Sequence, residues 1–186
     1  MGFSFVDVVG SPDPFTCPGF FSSGVSAMTK PVFIDRTFLA ELSQEAAQSP
    51  RLRKNRNFHA GNDDACHRLL NALEPGTYIQ PHCHLAADKE ETLIVLCGRI
   101  GVLLFDAAGQ VIAARELIAG GETVGINVVP GVFHSLVALE AGSVFFESKA
   151  GPYQALSVAE KASWAPTEGE SGVADFLEAM LAHFAR

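Results

Sequence analysis

Apolar residues fall at Phe38, Leu39, Leu42 and Ala46, and this spacing of three and four predicts a helix over 35–47 with one buried face and Asp35 as its N-cap. The stretch SPRLRKNRNFH that follows is expected to be a basic loop. Asn62 or Asp63 can then start a second short helix whose contacts are Leu69, Leu70 and Leu73, ended by Glu74-Pro75-Gly76. Beyond Tyr78 the texture changes to short runs rich in Val, Ile, Leu and Phe, divided by turn residues. They predict strands at 77–80, 92–96, 100–105, 111–117, 122–129, 135–139 and 143–147, with a hairpin at Asp106–Gly109. With no helical pattern between them, such strands form an antiparallel sandwich or barrel rather than an α/β sheet. The tail returns to helical spacing, with Val173, Phe176, Leu177, Met180, Leu181 and Phe184 in one stripe over 171–185. That stripe must be covered by the sheet's outer wall or by a second subunit.

Composition narrows this picture. At 186 residues the chain is the size of one domain that can bury a core without a stapling metal or disulfide. Its formal charge of -8 opposes non-specific attraction to nucleic acid or an anionic membrane, and neither is expected as a partner. No run of 18 apolar residues suggests a membrane span. Cys17, Cys66, Cys83 and Cys97 form no CxxC pair or regular framework, which fits a reduced, cytoplasmic protein. Residues 1–27 lack the basic start and continuous apolar run of a secretory signal. They are expected to be a loosely ordered extension, Met28 being an alternative start. The expected organisation is that extension, a helical segment with its basic loop over 28–75, a barrel over 76–153, and a linker with an amphipathic helix over 154–186.

One constellation carries chemistry. His82 and His84 are two apart in an extended segment, so their side chains leave on the same face and can ligate one ion. Glu91 can return across a short turn to the same centre, and His134, after Pro130-Gly131, can present an imidazole inward. Glu90 competes for the carboxylate role, because both faces of the strand that follows are apolar. Three imidazoles and a carboxylate suit one divalent transition metal, Fe, Zn, Mn or Ni among them, and a calcium site would want more oxygens. Cys83, between the two histidines, should point to the opposite face, and Cys66 and Cys97 are expected to be packing residues.

The segments GTYIQPHCHLAADKEETLIVLCG and GINVVPGVFH resemble the two motifs of the cupin superfamily, in which Gly, two His, Glu and a closing Gly are followed by a Pro, Gly and a further His. The match of Gly76 to His82 and of Glu91 to Gly98 favours Glu91 over Glu90. The loop from His84 to Glu91 is longer than usual, Pro130 directly precedes Gly131, and Ala138 stands where an Asn is common. More narrowly, RLRKNRNFH, HRLLNALEPGTYIQPHCH, FHSLVALEAGSVFFESKAGPY and WAPTEG resemble the WbuC family of cupin-fold metalloproteins, over residues 33–169. The resemblance implies a mainly β, RmlC-like double-stranded β-helix barrel with N-terminal helices and a C-terminal helix, and a metal held by His82, His84, Glu91 and His134.

Around that centre the basic stretch offers Arg53 and Arg56 as forks for an anionic group and His59 as a general acid or base. Tyr78, Glu147 and Tyr153 are further candidates to line the pocket. Three functions fit: a metal-dependent enzyme on a small polar or anionic molecule, sugar derivatives among them, by isomerisation or by dioxygenase chemistry; a non-catalytic sensor or binding protein; and an assembly partner with a structural metal. A homodimer is expected, because exposed sheet edges and an apolar tail helix are both satisfied by pairing.

Overall fold

A computed structural model describes residues 31–185; the expectations for residues 1–27 and Met28 lie outside them. Helix α1 spans Arg36–Gln48, and the Asp35 side chain accepts a hydrogen bond from Phe38 N at 2.9 Å, as the capping pattern predicts. Eight strands follow: β1 Arg53–Asn57, β2 Cys66–Leu73, β3 Glu91–Cys97, β4 Arg99–Phe105, β5 Val111–Ile118, β6 Gly125–Val128, β7 Phe133–Ala138 and β8 Ser143–Ala150. A single 3-10 turn at Val158–Glu160 precedes α2, Val173–Ala182.

The strands make two antiparallel sheets, one in the order β1-β2-β8-β3-β6 and the other β5-β4-β7. They stack face to face around a core that includes Leu73, Leu93, Val95, Val102, Leu136 and Phe145. The outer face of the larger sheet, through Leu70, Ala72 and Val144, is covered by Leu42 and Ala46 of α1. The outer face of the smaller sheet, through Leu103, Phe105 and Val137, is covered by Met180 of α2 with Trp164 and Phe176 packed around it. The tail's apolar stripe is therefore satisfied within the chain by the sheet's outer wall. Four layers result, and a strand buried on both faces, such as RIGVLLF of β4, needs no polar alternation.

Three expectations about local structure are corrected. The second helix, 62–73, is instead the strand β2. Leu70 and Ala72 face α1 while Leu73 faces the core between the sheets, so burial on both faces yields apolar neighbours that imitate helical spacing. The expected basic loop contains β1, paired to β2 from Arg53↔Leu73 to Asn57↔Leu69. Its charges suit a sheet edge, where they discourage pairing with another chain. The expected strand at 77–80 is an irregular strap, held by Thr77 Oγ1 donating to Arg51 O at 2.8 Å and by Ser135 Oγ donating to Ile79 O at 2.7 Å. The expected closed barrel is not formed either: among the described residues no strand ladder joins the two sheets, although a short antiparallel bridge ties His82 to His134 of β7. The hairpin at 106–109 forms as expected, with Asp106 Oδ1 accepting from Ala108 N and Gln110 N and Gly109 taking a positive φ of 86°. Among the described residues no helix is long and apolar enough to cross a membrane.

Candidate metal centre

The alternation of β3 decides between the two glutamates. Glu91 shares the inward face with Leu93 and Val95 and is 4% exposed, whereas Glu90 is turned outward and accepts from Asn127 Nδ2 at 3.2 Å. The bridge between the His82 segment and β7, His82 N to His134 O at 3.1 Å and His134 N to His82 O at 2.9 Å, brings two imidazoles from distant parts of the chain together. Their ring centroids are 4.6 Å apart, and that of His84 lies 5.4 Å from His82 and 6.2 Å from His134. One ligand atom from each of His82, His84 and Glu91 falls within 4.8 Å of the others. His134 Nε2 lies 3.4 Å from Glu91 Oε2.

The orientation of these rings bears on what they can hold. His82 Nδ1 is 3.0 Å from Gln80 O and His134 Nδ1 is 3.0 Å from Val132 O. A carbonyl can only accept, so both protons sit on Nδ1 and both Nε2 lone pairs are free for a metal. His84 Nε2 is 2.8 Å from Glu91 Oε1, yet the direction is wrong for a hydrogen bond and this buried nitrogen has no hydrogen-bond partner among the described residues. Imidazole nitrogens and a carboxylate gathered in this way form a donor set that could coordinate a divalent metal ion. Burial, and then the neighbouring His134, lower the His82 pKa to about 4, so its ring is neutral near pH 7, as a ligand must be. Burial would raise the Glu91 carboxyl, but a proton carried by His134 or His84 on the nitrogen that faces it, together with the ammonium of Lys149, outweighs burial and holds it well below the usual carboxylate range.

Lys149, and Asn71 behind it, are the part of the centre that sequence reading missed. Lys149 Nζ donates to Glu91 Oε1 and lies within ion-pair reach of Glu147 Oε1, at 2.7 Å in each case, and Asn71 Nδ2 donates to Glu147 Oε2 at 2.7 Å. Burial disfavours the Lys149 charge, but Glu147 and Glu91 more than compensate and raise its pKa. In FFESKA the residues Phe145, Glu147 and Lys149 alternate on one face of β8, but only the register that pairs Lys149 with Glu91 gives the lysine its place at the centre.

Two cavities meet at this centre, and His82 and Lys149 line both. The larger, about 370 Å³, lies over Leu93, Leu136 and Phe145, with Glu147 on its wall and Arg53 at its edge. The smaller, about 190 Å³, is lined by His84, His67, Lys89, Tyr153 and Glu160. Glu147 and Tyr153 thus stand where a pocket role needs them, Tyr153 largely exposed. The remaining candidates are otherwise engaged. Arg53 bonds Glu168 Oε2 at 2.7 Å and Tyr78 O at 2.8 Å. Arg56 pairs with Glu45 and lies over the Phe38 ring, on the α1 side of the sheet. Tyr78 is buried against Phe176, its hydroxyl donating to Pro166 O at 2.7 Å, and burial followed by Glu170 and Glu168 pushes its pKa up to about 12. His59 stacks on His67 with centroids 4.0 Å apart and accepts from Arg68 N, so it adjoins the smaller cavity through its neighbour.

Glu168, from the segment before α2, clamps both Arg51 and Arg53, and its pKa is lowered to about 2, first by the Arg51 hydrogen bonds. A carboxylate whose folded pKa lies below its unfolded value stabilises the fold above the unfolded value and loses that contribution as pH falls through the folded one. Glu168→Gln is therefore expected to destabilise the protein at pH 6, by about 1 kcal/mol or less for so exposed a group, with the difference shrinking between about pH 4.5 and about pH 2. Urea unfolding of both proteins across that range measures it.

A family model described as a domain of unknown function, DUF6016, matches residues 34–117. No curated protein matches. Among solved structures the chain is similar to KdgF from Halomonas sp., at 17% identity over 57% of this chain and 84% of that one, with a TM-score of 0.44. It is also similar to the conserved SPY1581 protein of unknown function from Streptococcus pyogenes, at 14% identity over 72% of this chain and 98% of that one, TM-score 0.46. A recombinant oxalate oxidase in complex with glycolate is 14% identical over 56% of this chain, TM-score 0.43, and the chain spans 53% of its length. It spans 26% of an oxalate decarboxylase from Lactobacillus farciminis in its formate complex, which is 22% identical over 50% of this chain, TM-score 0.39.

Proposed function

We propose that this chain is a cupin-type metalloprotein of the WbuC kind that holds one divalent transition metal on His82, His84, Glu91 and His134 and presents it to a small polar or anionic molecule. The observation that carries the reading is the buried His84 Nε2, with no hydrogen-bond partner, set against a Glu91 carboxylate that is 4% exposed. The two Nδ1–H groups anchored on backbone carbonyls support it, because they fix the tautomers that ligation needs. A metal so held supplies Lewis-acid polarisation of a bound oxygen. The chain's own contribution is to fix the imidazoles, to keep Lys149 charged beside the carboxylate, and to offer apolar walls that limit water. A homodimer belongs to the reading, supported by Ile94 and Leu96, exposed on the outer face of β3 next to the edge strand β6.

Elemental analysis of protein purified without added metal tests the assignment. About one equivalent of Fe, Zn, Mn or Ni per chain is expected, and its removal by chelator should lower the Tm, since an ion bound only by the folded state stabilises it by mass action. A chain that carries only trace metal and takes up none on addition would not be a metalloprotein.

A further inference from the structure

The cations around the centre are not alike. Arg51 and Arg53 are neutralised by Glu168, Lys54 and Arg56 by Glu45, and Lys149 by Glu91 and Glu147. Lys89 is different: its Nζ donates to Ala150 O at 2.9 Å and Pro152 O at 2.8 Å, and among the described residues no carboxylate lies within ion-pair reach of it. An ammonium has three donors, and two backbone carbonyls use two while leaving its charge uncompensated. It lines the smaller cavity together with His84, the residue whose Nε2 has no hydrogen-bond partner. Glu160, the carboxylate on that cavity's wall, keeps its charge, but its oxygens accept from the chain, Oε1 from Leu85 N and Oε2 from Ser157 N and Oγ, and it forms no ion pair with Lys89.

The larger cavity offers no equivalent. Each of its cations that has a charged partner is saturated or shared with a carboxylate, and Leu93, Leu136 and Phe145 make its inner surface apolar. An anion placed there would be desolvated without a free counter-charge, which is costly. In the smaller cavity it meets one. About 190 Å³ is several times the roughly 30 Å³ that a water occupies in the liquid, enough for a carboxylate bearing a few carbon atoms.

We propose that the smaller cavity is the anion subsite of the centre, where a small carboxylate places one oxygen on the Lys89 ammonium and turns the other toward His82 and His84, the two residues of the cluster that line this cavity. This deepens the metalloprotein reading and rests on it for the cluster's charge, while the Lys89 contact stands without it. Arg53 and Arg56 then have no part in holding the anion. The chain from Ala150 to Gln154 forms one wall of the subsite and supplies the carbonyls that aim Lys89, so the carboxylate is read against backbone that cannot follow it.

The test uses the full chain, stripped with chelator and reloaded with Co(II), whose visible spectrum reports changes at the metal. Acetate is titrated as the probe, with inorganic phosphate in parallel. Lys89→Met is expected to keep one Co(II) per chain and to weaken acetate at least about tenfold, the loss of one charge-assisted hydrogen bond. Lys89→Arg should retain most of the affinity, and Arg53→Met should bind acetate as the wild type does. Equal acetate affinity in Lys89→Met and wild type overturns the proposal, as does a loss in Arg53→Met that matches it. Phosphate binding more tightly than acetate overturns the carboxylate class. Should the wild type take up no Co(II), the metal reading has failed, and calorimetry of acetate into the metal-free protein decides the subsite alone: dependence on Lys89 upholds it, and no binding or no dependence overturns it.

Discussion

Glu91→Ala is expected to remain folded and to lose its metal. Glu91 is the one carboxylate in the cluster, and both its oxygens face nitrogen atoms, Oε1 toward His84 and Lys149 and Oε2 toward His134. Removing it leaves three imidazoles, which supply no negative charge against a divalent ion. Affinity should fall at least about 100-fold, or about 2.7 kcal/mol, a modest figure for losing a charged ligand. The fold should survive because Lys149 is not stranded: Glu147 keeps its ammonium paired and is itself held by Asn71. Competition against a chelator of known affinity measures the loss, and a cooperative thermal melt confirms folding. Glu90→Ala is the matched control. Its side chain touches Asn127 of the neighbouring strand β6 on the exposed face of the sheet, and it should keep a full equivalent of metal. Metal retained by Glu91→Ala and lost by Glu90→Ala would reverse the assignment of the two residues.

What the sequence disclosed follows from how each feature is encoded. The strands β3, β4, β5, β7 and β8 were legible because each is a short apolar run bounded by turn residues, and the tail helix because its stripe is long and regular. The segment CHRLLNAL was not, since a strand buried on both faces carries no alternation and three leucines at one and three residues apart fit either period. Edge strand β1 was hidden by its charges, which read as a loop until Leu69 to Leu73 are known to pair with it. At the centre, the HxH spacing and the distant His134 could be read directly. The choice of Glu91 over Glu90 came from the motif spacing of Glu91 to Gly98, because an apolar strand does not announce its inward phase, and the burial of Glu91 on β3 agrees with it. Lys149 was invisible for another reason: its role depends on a cross-strand register, Glu91↔Lys149, and register is a property of the fold rather than of either segment. Arg53 and Arg56 looked free in the sequence because Glu168 and Glu45, the residues that bind them, lie elsewhere along the chain.

Gly151→Ala is expected to be the most disruptive single methyl addition near the centre. A Cβ at Gly151 would lie 1.7 Å from Asp64 O, 2.8 Å from Asp64 C and 3.0 Å from His67 Cδ2. The first two are backbone atoms and cannot rotate away. Gly151 N also donates to Ala65 O at 2.9 Å, so the clash and the hydrogen bond act on the same crossing of chains and relieving one breaks the other. That crossing holds the end of β8 against the start of β2, and with it the wall of the smaller cavity that carries the carbonyls of Ala150 and Pro152. The expected cost is about 3 kcal/mol or more, at the upper end for overpacking because no flexible side chain can yield. Gly61→Ala, where an added Cβ meets nothing within 4 Å, should change stability by about 0.5 kcal/mol or less. Urea denaturation of both variants gives the comparison. A Gly151→Ala protein as stable as Gly61→Ala would mean that the two chains do not cross as closely as this packing requires, and that the wall aiming Lys89 is looser than the anion subsite needs.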